Sequence, residues 1–158
     1  MKYSVTLKQL REKGACISGY NKVVRMLQGK DFSDKDLIRE TYIRFAHKES
    51  ISLVDIANNN GIEDAIWCLV CVPDCNRDAR LFAVWCARQV QHLMTDQRSL
   101  DAIDVAERFA NGDVTTLDLD AARGAVWGAA WGAARGAQKE MFIRMCQGTA
   151  PWQQGETK

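Results

Sequence analysis

The chain has 158 residues, 47% apolar and 26% charged, with a formal net charge of +1. That is the composition of an ordinary folded protein, long enough for one domain with a real core or two very small ones. The charge balance gives no global electrostatic case for nucleic acid, and none for an acidic DNA mimic.

No run of about 20 apolar residues occurs, so a membrane span is not expected. The start, MKYSVTLKQLREKG, has no apolar segment of the signal-peptide kind. Six cysteines without such a signal point to a reducing cytosol and free thiols.

With two prolines and no runs of alternating Val, Ile and Thr, the chain reads as all-α. The first helix is expected over about Thr6 to Lys13, stopped by Gly14. The second runs from Ser18 to Gln28 before Gly29, with Val23, Val24 and Leu27 on its apolar face. Ser33 caps a longer third helix, with Asp34 and Asp36 in its first turn. Its core face is expected to include Leu37, Ile38, Tyr42, Ile43 and Phe45. Ser52 caps LVDIANNN, which stops at Gly61, and IEDAIWCLVCV continues as one helix up to Pro73.

The second half is richer in Ala, Arg and Trp. RDARLFAVWCARQVQHLMTD reads as one helix with Leu81, Val84, Trp85, Val90 and Leu93 near the core. RSLDAIDVAERFANG follows, with Ser99 as a possible cap. A last helix of roughly 30 residues, about 45 Å, then opens at Thr115 or Thr116 and runs to Cys146. The expected architecture is a compact all-α multi-helix bundle with a long Gly/Ala/Trp-rich C-terminal helix. It reads as a single domain over 1–150, or as subdomains 1–73 and 74–147, followed by a flexible tail, 148–158.

Within that last helix, RGAVWGAAWGAARGAQKE places Gly124, Gly128, Gly132 and Gly136 four residues apart. Four interior glycines cost on the order of 3–4 kcal/mol relative to alanine, so propensity does not explain them. Each step of four drifts by roughly 40° on a 3.6-residue helix. The glycines therefore trace a slow spiral along which a neighbouring helix can approach closely. Trp127 and Trp131 form a second spiral, with Arg123 one step before and Arg135 one step after. The plain reading is that the small residues pack and the Arg and Trp cover the rim. The functional reading makes Arg123, Trp127, Trp131 and Arg135 a partner-binding stripe, since Trp and Arg dominate interface hot spots. A base-stacking platform lacks the basic groove it would need.

The segments WCARQV (85–90), DQRSLDAIDVAERFANG (96–112) and the tetrads from 121 onward resemble a family of small bacterial and phage proteins with Ala/Trp tetrad repeats, commonly labelled immunity proteins. LREKGACISGYNKVV and NNNGIEDAIW resemble an accompanying N-terminal segment of phage-encoded relatives. The chain departs by having Gly where the family more often has Ala or Asp. The resemblance implies an all-α fold and a non-catalytic role in conflict between phages, bacteria or toxins. It carries no active site with it.

Cys68, Cys71, Cys75 and Cys86 include enough thiols for tetrahedral zinc. Leu and Val between the first two place them in an apolar helix instead, and free cysteine is among the most buried residue types. Cys16 and Cys146 are read as buried in the same way. No phosphate loop, zincin motif or nucleophile elbow occurs. His47 and His92 are far apart, and an enzyme would need one of them beside a carboxylate in a concave pocket. The TDQRS corner, with Arg77, Asp78 and Arg80 upstream, is read as a capping network in which Asp96 or Ser99 satisfies free backbone N–H groups and Arg98 answers the carboxylates, or as an arginine edge for phosphate or carboxylate.

The expectation is a non-enzymatic, cytoplasmic inhibitor or immunity-type factor without metal or cofactor. It would bind a host defence complex, as anti-CRISPR proteins do, or a toxin, with self-association as a further outcome of the stripe. The alternative is a nucleic-acid-associated phage accessory protein, which the net charge disfavours.

Overall fold

The computed structural model describes residues 2–113 and 135–155. It is predominantly helical, and it divides into two compact units, Met1–Pro73 and Asp74–Lys158.

In the first unit Thr6 caps helix α1 (Leu7–Glu12) through a reciprocal box: its Oγ1 accepts from Gln9 N, and Gln9 Oε1 accepts from Thr6 N. Helix α2 (Ile17–Leu27) buries Tyr20, Asn21, Val23 and Val24. Helix α3 is one turn, Asp34–Leu37, behind Ser33. Helices α4 (Leu53–Asn59) and α5 (Ile62–Trp67) follow. Ser52 caps α4, its hydroxyl accepting from Val54 N at 3.1 Å. Between α4 and α5, Gly61 takes φ 108°, a conformation that only glycine adopts without strain. The core gathers Val5, Leu10, Val24, Leu53 and Ile56, all buried.

Two features differ from the sequence reading. A two-residue antiparallel pair, β1 (Ser4–Val5) with β2 (Ile51–Ser52), ties the start of the unit to the residues just before α4. Strands this short leave no alternation to read. The long third helix is also absent beyond Leu37: residues 38–50 run irregularly, and Leu37 and Ile38 are 63% and 79% exposed. Side chains of α2 hold this segment instead. Buried Asn21 donates from Nδ2 to Thr41 O (3.0 Å) and accepts from Ile43 N (2.8 Å). Tyr42 donates its hydroxyl to Ala15 O and packs edge-on against Tyr20. These partners satisfy backbone groups that a helix would otherwise pair internally.

In the second unit, helix α6 (Asn76–Gln89) packs on α7 (Gln97–Ala110) and on α8, described over Arg135–Gln147. Val84, Ala87, Ile103 and Ala106 form the α6–α7 seam, and Phe82 meets Phe142 edge-on, 5.6 Å between centroids. The expected continuous helix through Asp96 stops at Gln89. A 3-10 turn, Gln91–Leu93, follows and leaves Leu93 exposed. Likewise α5 passes into a 3-10 turn at Cys68–Cys71. Asp96, not Ser99, caps α7, accepting from Arg98 N at 3.1 Å.

The tail expected to be free from residue 148 is docked as far as Gln153. Gln153 Nε2 donates to the buried Asp78 carboxylate (2.6 Å) and to Met145 O (3.1 Å), and its Oε1 accepts from Ala150 N (3.0 Å).

Candidate functional site

The residues 114–134, which hold Arg123, Trp127, Trp131 and three of the tetrad glycines, lie outside the described residues. Arg135 opens the described part of α8 and is exposed there, as is Gly136.

The cysteines separate into one exposed and five buried thiols. Burial pushes Cys68, Cys86 and Cys146 up to about 12, and raises Cys71 and Cys75 as well. Among the described residues no three His, Cys, Asp or Glu side chains gather as metal ligands would. Cys16 corrects the sequence reading: it is exposed because it caps α2, its Sγ accepting from Gly19 N at 3.3 Å. A cap must face the free N–H groups of a helix end, which here lies at the surface.

Each histidine has a plain setting. His92 is exposed in the 3-10 turn. His47 stacks on Phe45, 6.1 Å between centroids. It borders an open depression of about 580 Å³ together with Glu49 and Asp55. Among the described residues no hydrogen bond or ion pair joins His47 to either carboxylate.

The arginines near the TDQRS corner are engaged. Arg77 donates to Asn111 Oδ1, and Arg80 lies over the Phe109 ring at 4.7 Å. Arg88 pairs with Asp104 (2.9 Å) and Glu107, tying α6 to α7. Arg98 pairs with Asp96 of its own turn, at 3.4 Å.

A second, more enclosed concavity among the described residues is a cleft of about 250 Å³ between the N-terminal end of α2 and helix α5. It is built by NNNG. Asn60 Nδ2 donates to Gly19 O (2.8 Å) and to Asp64 Oδ2 (2.9 Å), while Asn59 Nδ2 reaches Lys22 O at 3.4 Å. These bonds pin the α4–α5 corner onto α2. The two helices approach closely at Gly19, where an added Cβ would stand 3.0 Å from Asp64 Oδ2 and 3.1 Å from Cys16 Sγ.

The floor of the cleft is apolar, from Leu10, Val23 and Ile56, with Tyr20 in the wall. Its mouth holds Cys16, Asp64 and Trp67. Trp67 is 39% exposed, and Val70, one 3-10 turn further on, is 57% exposed. By sequence this Trp belongs to an apolar helix. The signal that could have found it is Glu63–Asp64 followed by Trp67 at three- and four-residue spacing, which puts all three on neighbouring parts of one helix face.

Comparison with known proteins returned no matching family, no similar curated protein and no similar solved structure. No described helix is long and apolar enough to cross a membrane.

Proposed function

We propose that the chain is a non-enzymatic protein-binding factor of the immunity or anti-defence type, with a docking face on its first unit. The observation that carries this reading is Trp67, an exposed indole lining a formed cleft, with exposed Val70 three residues further along the chain. Water-exposed indole next to a concavity is the kind of anchor that dominates interface energetics. The tetrad resemblance supports a partner drawn from host defence complexes or toxins, met in the bacterial cytosol, and keeps the Arg123–Arg135 stripe as a second contact surface.

The test is capture of a partner from host lysate by the tagged full chain, compared with Trp67→Ala and Val70→Glu. Both variants should keep the parent fold by circular dichroism and lose the captured protein. Capture that survives both substitutions sinks the docking face. Binding that instead collapses between low and physiological salt and is abolished by nuclease favours the nucleic-acid accessory role.

A further inference from the structure

We propose that residues 43–48 form an unpaired strand edge that takes up an acidic, extended peptide segment of a protein partner. Within the stretch 38–50 this part has a strand's period. Ile43, Phe45 and His47 are half-buried, and Arg44, Ala46 and Lys48 are exposed. The rings of Phe45 and His47 stack 6.1 Å apart with 9° between their planes. Alternate residues of an extended chain stand about 6.6 Å apart on one face, so the stack marks the same period.

The backbone agrees. Asn21 accepts from Ile43 N and donates to Thr41 O. In an extended chain the N–H and C=O groups of alternate residues point to the same edge. The α2 side chain therefore occupies the edge to which Thr41 and Ile43 point. The groups of Arg44, Ala46 and Lys48 point to the other edge. Among the described residues no hydrogen bond is made by any of those groups. An open edge of this kind accepts an added strand through main-chain bonds.

The side chains decide what can add. Arg44 and Lys48 both lie on the outer face, and among the described residues neither meets a carboxylate. The nearest acidic residues in the chain, Glu40 and Glu49, lie outside the run. A second copy is a poor occupant. The two-fold antiparallel register that uses all three open residues is centred on Ala46 and sets Arg44 opposite Lys48 twice. Like charges directly opposite are destabilising, whereas Asp or Glu opposite each cation gains both cross-strand pairs. None of the residues 43–46 or Lys48 lines the α2–α5 cleft, nor does His47, so this edge is a contact beyond the docking face.

The probe is a capped peptide of alternating Glu and Val, matched in length to residues 43–49, with the alternating Lys and Val peptide as control. Exchange of each backbone amide with water is followed by NMR on the full chain, near neutral pH and at matched ionic strength. The Glu peptide should slow exchange at Arg44, Ala46 and Lys48 several-fold and leave Phe45 and His47 nearly unchanged. The Lys peptide should have no effect. Ala46→Pro removes the central donor of the edge and should abolish the slowing at Arg44 and Lys48. Arg44→Glu combined with Lys48→Glu changes only exposed positions and should reverse the preference, so that the Lys peptide slows the same amides.

Equal slowing by both peptides, or by neither, overturns the proposal. So does an unchanged preference in the double variant. Slowing at Phe45 and His47 as strong as at their neighbours would mean that the peptide covers the segment without pairing to it, which overturns the strand assignment. Slowing that grows with protein concentration in the absence of peptide would make a second copy the occupant in place of an acidic strand.

Discussion

Arg25 holds the buried carboxylate of Asp36 with two nitrogens, Nε at 3.1 Å from each oxygen and Nη2 at 2.6 Å from Oδ1. Ser33 adds its N–H and hydroxyl on Oδ2. Together they fasten the α3 turn to α2. The Arg25 hydrogen bonds first, and then the Ser33 backbone bond, pull the Asp36 carboxyl well below its ordinary range, against a desolvation that acts the other way.

That shift sets an acid limb. The unfolded chain carries an ordinary aspartate near pH ~3.9. The stabilisation from Asp36 is therefore fully present above that value and is lost as pH falls toward the lower folded value. Asp36→Asn should lower the melting temperature at neutral pH and flatten its fall below pH ~4. Melting curves for parent and variant from pH ~7 to ~2 check this. Parallel curves would mean that the pair does not govern the acid response.

Gly19→Ala should destabilise the first unit, although alanine is ordinarily better than glycine in a helix by about 1 kcal/mol. The new Cβ meets the Asp64 carboxylate at 3.0 Å, and that carboxylate is itself held by Asn60. With overpacking at about 1–3 kcal/mol, the net loss is expected at about 1 kcal/mol. Urea unfolding measures it. A gain in stability would show that Asp64 moves aside freely.

Much of this was legible locally. Thr6, Ser33 and Ser52 announce helix starts, Gly14, Gly29 and Gly61 announce stops, and the period of Val23 and Val24 gives the buried face of α2. What escaped is what long-range bonds decide. Nothing near Leu37 says that Asn21, twenty residues before Thr41, will take over the backbone of the following segment. The cleft escaped for the same reason. It depends on Asn60 reaching Gly19, forty-one residues back, a pairing no local pattern records.

Asn21→Ala should expose that dependence. The substitution leaves Ile43 N–H, on a half-buried residue, and Thr41 O, on an exposed one, without their partner, and the loss of a typical hydrogen bond costs about 0.5–1.5 kcal/mol. Hydrogen exchange at the Ile43 amide should accelerate far more than at the α4 amides. Uniform acceleration across the unit would place the effect in the core instead of the clamp.

Thiol chemistry gives a direct count. One cysteine per chain, Cys16, is exposed, and five are buried. Only thiolate reacts, and burial holds Cys68, Cys86 and Cys146 at about 12. Native protein should react with Ellman's reagent at one thiol quickly and at the rest only after denaturant is added. Cys16→Ser should remove the fast phase while keeping a hydroxyl able to cap α2. A second fast thiol in the native parent would contradict the burial described for the other five.

The end of the chain should matter to the second unit more than its polar composition suggests. Gln153 joins the buried Asp78 of α6 to Met145 O near the end of α8, and folds back on Ala150 N. Gln153→Ala breaks all three bonds at once and takes a donor from a carboxylate that is 4% exposed. The cost is expected at about 1–3 kcal/mol, the penalty for a buried polar group losing a partner. Gln153→Glu should cost more, because it removes the amide donor and sets a second negative charge against Asp78. Its deficit should shrink as pH falls through the carboxylate range near ~4, where protonation removes the repulsion. Unfolding measured for the three proteins at neutral and acid pH decides this. If both variants unfold like the parent, the tail only rests on the surface and Asp78 is held by other groups alone.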